Sequence, residues 1–132
     1  MNSVIVVAGV AINDGKVLVA RRAANKSLAG FWEFPGGKVK FGESDHAALV
    51  REFREEFGIK IKPGEFICES SSPQDGIVLN SYLISVHEIP TTSNSHDEIL
   101  WVSKVELLKL KVCNADVKVV SRVVPLLQAK QY

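Results

Sequence analysis

GGKVKFGESDHAALVREFREEFGI, spanning residues 36–59, passes from a glycine pair into a helical period. Leu49, Val50, Phe53 and Phe57 recur three and four positions apart, so residues 44–57 are expected to form a helix with one apolar side. Ser44 is a suitable N-cap and Gly58 a suitable stop. The same helix carries Glu52, Glu55 and Glu56 within an arc of about 100°, because positions three and four apart are surface neighbours. Like charges at this spacing cost roughly 0.2–0.5 kcal/mol per pair. A hard divalent cation, Mg²⁺ or in its place Mn²⁺, would turn that repulsion into a binding site. Ala48, one turn before Glu52, is expected to leave room for the hydrated ion. The other reading of these residues is a solvated acidic face with Arg51 and Arg54 as counter-charges.

On either side of this helix the chain reads as strands and turns. Val4–Ile12 and Lys16–Arg22 flank Asn13-Asp14-Gly15, whose Asp-Gly pair suits a tight hairpin. Small and polar residues from Ala23 to Gly30 predict a surface loop that could rim a substrate site. Residues 31–34 predict a short extended run that ends in a tight turn at Pro35-Gly36-Gly37. Beyond the helix, residues 66–70, 77–86 and 99–102 read as strands, separated by a turn-rich stretch at 71–76 and a loop at 90–97. Residues 105–110 predict a short helix and 116–128 a longer one, kinked or cut short by Pro125. Strands on both sides of an amphipathic helix, with a second helix at the end, predict an α/β fold with a mixed sheet between helices.

The 132 residues fit one domain, 1–132, with no internal repeat, linker or low-complexity tract. Hydrophobic residues at 46% and charged residues at 23% are close to globular averages, which disfavours both disorder and a membrane protein. A formal net charge of +1 leaves little long-range field to attract a nucleic acid polymer. Residues 4–12 are too short an apolar run to span a bilayer and lack a basic flank, so a cytoplasmic location is expected. Cys68 and Cys113 are expected to be reduced structural thiols, since no secretion signal or paired His/Cys spacing accompanies them.

Residues 37–59 resemble the signature of the Nudix hydrolase family, with Gly37, Glu43, Arg51, Glu52, Glu55, Glu56 and Gly58 at its fixed positions and Phe53 and Ile59 in its bulky slots. At average residue frequencies those seven matches have a chance probability on the order of 10⁻⁹ per starting position. WEFPGGKVKFGE (32–43), VAGVAINDGKVLVARR (7–22) and ILWVSKVEL (99–107) look like the MutT branch, so the resemblance covers most of the chain. It implies the family's α/β/α sandwich. It also implies Mg²⁺-dependent cleavage of a nucleoside triphosphate to a monophosphate and pyrophosphate, with oxidised purine and cytidine nucleotides as substrate classes. Other diphosphates such as ADP-ribose, a dinucleotide or an RNA 5′ end remain an alternative, as does a noncatalytic nucleotide sensor. The partner would be a small nucleotide bound by a monomer or homodimer.

By the same resemblance, the Gly36 carbonyl, Glu52 and Glu56 bind the cation, Glu55 supports a further ion or water, and Arg51 orients a glutamate. Arg51 and Glu43 could equally be a bidentate pair that holds the loop. Arg22 and Lys38 are implied to grip phosphates, their alternative being simple exposure. Glu33, Phe34, Pro35 and Gly36 are implied to line the nucleoside pocket, though Phe34 could be plain core. Asp116, third in Asn114-Ala115-Asp116, is implied to read the base, where the bacterial 8-oxo-dGTP enzyme has asparagine. It could instead cap the last helix. Six residues before Trp101, where many MutT-like chains carry a glutamate, stands Ser95, which cannot supply a carboxylate. Among His96, Asp97 and Glu98 no substitute is secure, so water activation is expected from Glu52, with Glu55 as alternative.

Overall fold

β1 (Val4–Asn13) and β2 (Lys16–Arg22) form the opening hairpin, turned by Asp14 and Gly15 at φ 55° and 74°. Both central residues having positive φ is what an Asp-Gly turn supplies at low cost. The computed structural model describes residues 3–127. After the hairpin come β3 (Trp32–Glu33), β4 (Gly36–Lys38), α1 (Asp45–Phe57), β5 (Ile61–Ser72), β6 (Ile77–Val86), β7 (His96–Val102), α2 (Lys104–Lys109) and α3 (Asn114–Val123), which runs into a 3-10 turn at Val124–Leu127.

The sheet order is β3-β2-β1-β6-β5, with β4 also on β1 and β7 also on β2. β1 lies parallel to β6 from Val4 to Ala11, while the other pairs of named strands are antiparallel, so the sheet is mixed as expected. Along its other edge β1 pairs with β4 at Val6–Ala8 and with β2 only at Ile12 and Asn13. Alternation along β1 serves two cores. Val7 and Ala11 pack with Leu49 and Phe53 of α1, whereas Ala8 and Val10 pack with Val119 and Val123 of α3. Gly9 faces α1, where a Cβ would press against the Phe53 ring at 2.8 Å. Burying Phe53 contributes on the order of 1.5–3 kcal/mol. Helices on both faces make the α/β/α sandwich. Among the described residues no helix is long and apolar enough to cross a membrane.

Several expectations need correction. Gly36 and Gly37 form a strand instead of a tight turn, and neither has positive φ. Ala48 does not make room for an ion, since it is fully buried in the α1 core. β5 starts at Ile61 and not at 66, because bulges on both sides of Phe66 carry the strand past Pro63 and Gly64. β7 starts at His96, inside the expected loop, by pairing with β2 across a bulge. The extended run at 31–34 keeps only two strand residues. α2 starts at Lys104, where Ser103 and Glu106 close a capping box. α3 begins at Asn114, so Asp116 lies inside its first turn and is not its cap. Past Val123 the chain tightens into the 3-10 turn around Pro125, and the expected end at Gln128 lies outside the described residues.

Candidate active site

The N-terminus of α1 is fixed by Ser44 Oγ, which accepts from Ala47 N at 3.1 Å, and its end by Gly58 in the left-handed region at φ 69°. Between these caps, Arg51 works as a hub. Its Nε donates to Glu43 Oε2 at 2.7 Å and its Nη2 to Glu43 Oε1 at 3.0 Å, a bidentate pair. The same guanidinium reaches Glu52 Oε2 at 2.8 Å, Glu55 Oε1 at 3.2 Å and the Lys38 carbonyl at 2.9 Å. The hydrogen bonds from Arg51 and from the Lys40 amide lower the Glu43 carboxyl to about 2. Arg51 thus contacts both the loop, through Glu43 and the Lys38 carbonyl, and Glu52 on its own helix, the contacts that its two readings in the sequence call for.

β4 brings the loop's backbone against this helix. A Cβ on Gly36 would fall onto the Val7 carbonyl, and one on Gly37 would overlap the Glu52 carboxylate. Glycine is therefore needed for close approach at both positions and not for its turn-forming freedom. Glu56, one turn after Glu52, is largely buried. Burial first, and then the hydrogen-bonded Glu52, raise its carboxyl well above the usual range. Glu56 Oε1 has no hydrogen-bond partner among the described residues. An orphaned, buried carboxylate oxygen beside a second carboxylate, in a cradle that a Cβ would fill, fits a hard divalent cation with oxygen ligands. Among the described residues no group of three or more His, Cys, Asp or Glu side chains is placed to hold a metal ion by itself. The fit therefore rests on Glu52, Glu56 and backbone oxygen.

A cavity of about 590 Å³ runs from these carboxylates to the base of α3. At one end are Glu52, Glu56, Gly36, Gly37 and Lys38, and at the other Phe34, Asp116, Ala115 and Cys113. Val4, Val6, Ile77 and Leu79 supply an apolar wall from β1 and β6. Lys26, Ser27 and Leu28 from the predicted rim loop lie over it. Asp116 Oδ1 accepts from Phe34 N at 3.0 Å. Burial pushes the Asp116 carboxyl up to about 8, aided by the charge of Glu33 and opposed by the Phe34 amide and Arg22. A protonated Asp116 can donate as well as accept. The Cys113 thiol, also pushed up by burial to about 12, lines the cavity wall.

Of the residues singled out in the sequence, Arg22, Glu33, Phe34, Gly36, Lys38, Glu52, Glu56 and Asp116 share this cavity. Phe34 is at once wall and core. Pro35 is buried and outside the lining, its carbonyl taken by Gly9 N at 2.8 Å. Glu55 and Glu43 also lie outside it, and the Glu55 side chain is 55% exposed. Arg22 is not free in solvent. Its Nη1 donates to Glu33 Oε1 at 3.0 Å and its Nε to the Ser27 carbonyl at 2.6 Å. Asp97 is exposed, and Glu98 is paired with Arg21 at 3.3 Å, which leaves His96 as the one of the three turned inward. Cys113 and the β1–β6 wall were missed as lining. Two-residue alternation puts Val4 with Val6 and Ile77 with Leu79 on one face each, but only the sheet order shows what they face, and Cys113, outside any strand, carried no such signal.

A family model described as NUDIX domain matches residues 3–123. The chain is 37% identical to a CTP pyrophosphohydrolase of Escherichia coli K12 over 131 residues, 98% of this chain and 92% of that protein. It is 36% identical to a putative 8-oxo-dGTP diphosphatase 2 of Mycobacterium tuberculosis over 106 residues, 78% of this chain and 75% of the other. The solution structure of a DNA mismatch repair protein MutT, of the Nudix hydrolase family, from methicillin-resistant Staphylococcus aureus 252 superposes with TM-score 0.76 at 34% identity. That match covers 96% of this chain and 99% of the other.

Proposed function

The chain belongs to the Nudix family, and from that premise we propose that it is a Mg²⁺-dependent nucleoside triphosphate pyrophosphohydrolase of the MutT type, acting on oxidised purine or cytidine nucleotides. The observation that carries this reading is one cavity with carboxylates at one end and an apolar slot closed by Asp116 at the other. One nucleotide spans such a site, phosphates on the acidic helix and base against Phe34 and Asp116. The names of the two similar proteins support the two substrate classes.

Glu52, Glu56 and the Gly36 carbonyl are the groups suited to hold the cation, with Glu55 towards solvent available to a further ion or water. Bound there, it would polarise the phosphoryl oxygens and lower the pKa of a water. Arg51 keeps Glu52 in place, and Arg22 and Lys38 offer positive charge to the phosphates. Water attacks phosphorus, one P–O bond to the bridging oxygen breaks, and the products are a nucleoside monophosphate and pyrophosphate. Glu52 takes the water's proton, with Glu55 as the alternative. The test is a screen of ordinary and oxidised nucleoside triphosphates, ADP-ribose and dinucleotides with Mg²⁺, reading pyrophosphate and orthophosphate separately. Pyrophosphate from triphosphates is the expected result. Turnover of ADP-ribose alone, or binding with no turnover of anything, would overturn it.

A further inference from the structure

His96 enters β7 where the ladder with β2 slips. Arg21 pairs with Glu98 and Arg22 with His96, so Asp97 is the extra residue of a bulge. The bulge turns the imidazole inward, where its side chain is 4% exposed and stacks on Phe57 with ring centroids 6.0 Å apart and planes 8° from parallel. Both ring nitrogens are engaged. Nε2 lies 2.9 Å from Glu33 Oε2, and Nδ1 lies 2.7 Å from Ser93 Oγ. A carboxylate only accepts, so Nε2 is the donor to Glu33. Ser93 Oγ, which itself accepts from Ser95 N at 3.2 Å, is then free to donate to Nδ1. The other Glu33 oxygen, Oε1, receives Arg22 Nη1. Ser93, His96, Glu33 and Arg22 thus form one continuous chain of polar contacts that ends on a cation in the cavity.

We propose that His96 is a positioning residue that acts through Glu33 to hold the Arg22 guanidinium at the angle needed to meet the substrate's phosphates. Arg22 is pulled from two sides, by Glu33 and by the Ser27 carbonyl of the rim loop. Without the Nε2 donor, Glu33 loses its second anchor and can rotate, and the arginine then follows the loop. His96 bonds directly only to Glu33 and Ser93; its Nδ1 stands 3.8 Å from Glu56 Oε1, beyond hydrogen-bond reach. Its bond to Glu33 is nearly buried, the setting in which a charge-assisted hydrogen bond contributes most. The role of Arg22 as a phosphate contact rests on the function proposed above, whereas the geometry of the chain does not.

Two measurements separate those dependencies. In the wild-type protein the Arg22 Nη1–H resonance, from the group bonded to Glu33 Oε1, read by ¹⁵N NMR at low temperature without nucleotide, is expected to be sharp and slow to exchange. His96→Leu should broaden or lose it, and His96→Gln, whose amide can still donate to Glu33, should keep it. In steady-state kinetics with Mg²⁺, His96→Leu should raise KM for the triphosphate about tenfold, more than it lowers kcat, and His96→Gln should recover most of that loss. In an Arg22→Ala background His96→Leu should add little. Loss of the resonance in a protein with no turnover would leave the positioning role intact and sink the hydrolase reading. An unchanged resonance, or equal KM effects in the two backgrounds, would overturn the positioning role.

Discussion

The Phe34 amide donates to Asp116 Oδ1 at 3.0 Å, joining the segment between β3 and β4 to the first turn of α3 across 82 positions of sequence. An acceptor is needed there whichever way the carboxyl titrates, because Phe34 N is buried and would otherwise stand unpaired. Glu33, Arg22 and the Cys113 thiol are the charged or titratable groups around it.

That environment makes stability depend on pH. Asp116 has a folded-state pKa of about 8 against an ordinary 3.8, so the native protein holds a proton that the unfolded chain has released between those values. The stabilisation is complete below about pH 4 and is lost as pH rises through 8. Asp116→Asn keeps an acceptor for Phe34 N and cannot ionise. Denaturant unfolding of the nucleotide-free protein at pH 5 and pH 9 should show the variant losing less stability than wild type over the interval, by on the order of a few kcal/mol. Parallel losses in the two proteins would refute the assignment.

Base selection should follow the same residue. Asp116→Ala is expected to change the ratio of kcat/KM between nucleotides by roughly tenfold or more while leaving Mn²⁺ affinity within about twofold. An equal loss for every nucleotide would assign Asp116 to holding Phe34 alone.

Glu56→Gln should weaken Mn²⁺ binding by an order of magnitude or more, since it removes a charged ligand from a site of few carboxylates. Circular dichroism should stay native, because the amide replaces a carboxyl already difficult to ionise in its buried setting. Unchanged titration of the metal would count against the site.

The two glycines of β4 should separate stability from function. Gly37→Ala meets only the far end of the Glu52 side chain, so it should displace that carboxylate, cutting turnover about 10²-fold with little change in Tm. Gly36→Ala meets the Val7 backbone and should instead cost on the order of 2 kcal/mol or more in stability. Thermal melts beside steady-state assays would settle the contrast, and a Gly37→Ala enzyme of full activity would contradict it.

Arg51→Lys keeps the charge but loses the planar fork that reaches Glu43 twice. Glu52 then loses its fixed partner, and kcat/KM should fall roughly 10²-fold with the helix intact by circular dichroism. Wild-type activity in this variant would show that the hub only holds the loop.

By itself the sequence determined α1, both of its caps, the opening hairpin and the pairing of Glu52 with Glu56, but not the place of Glu55, which the structure leaves outside the cavity. Each of these depends on residues within a few positions of one another: Ser44 reaches Ala47, Asp14-Gly15 closes its own turn, and Glu52 and Glu56 stand one helical turn apart. The resemblance carried by residues 37–59 added the family and its sandwich. What only the tertiary structure decided lies between elements. Gly36 and Gly37 become a strand because β1 offers an edge and no room for a Cβ, β7 begins early because a bulge lets it follow β2, and His96 is thereby turned onto Glu33. Asp116 likewise departs from ordinary carboxylate behaviour because α3 buries it beside Phe34 and Glu33. Local spacing sets caps, turns and helix faces, while burial and partnership between distant segments exist only once the sheet order has brought those segments together.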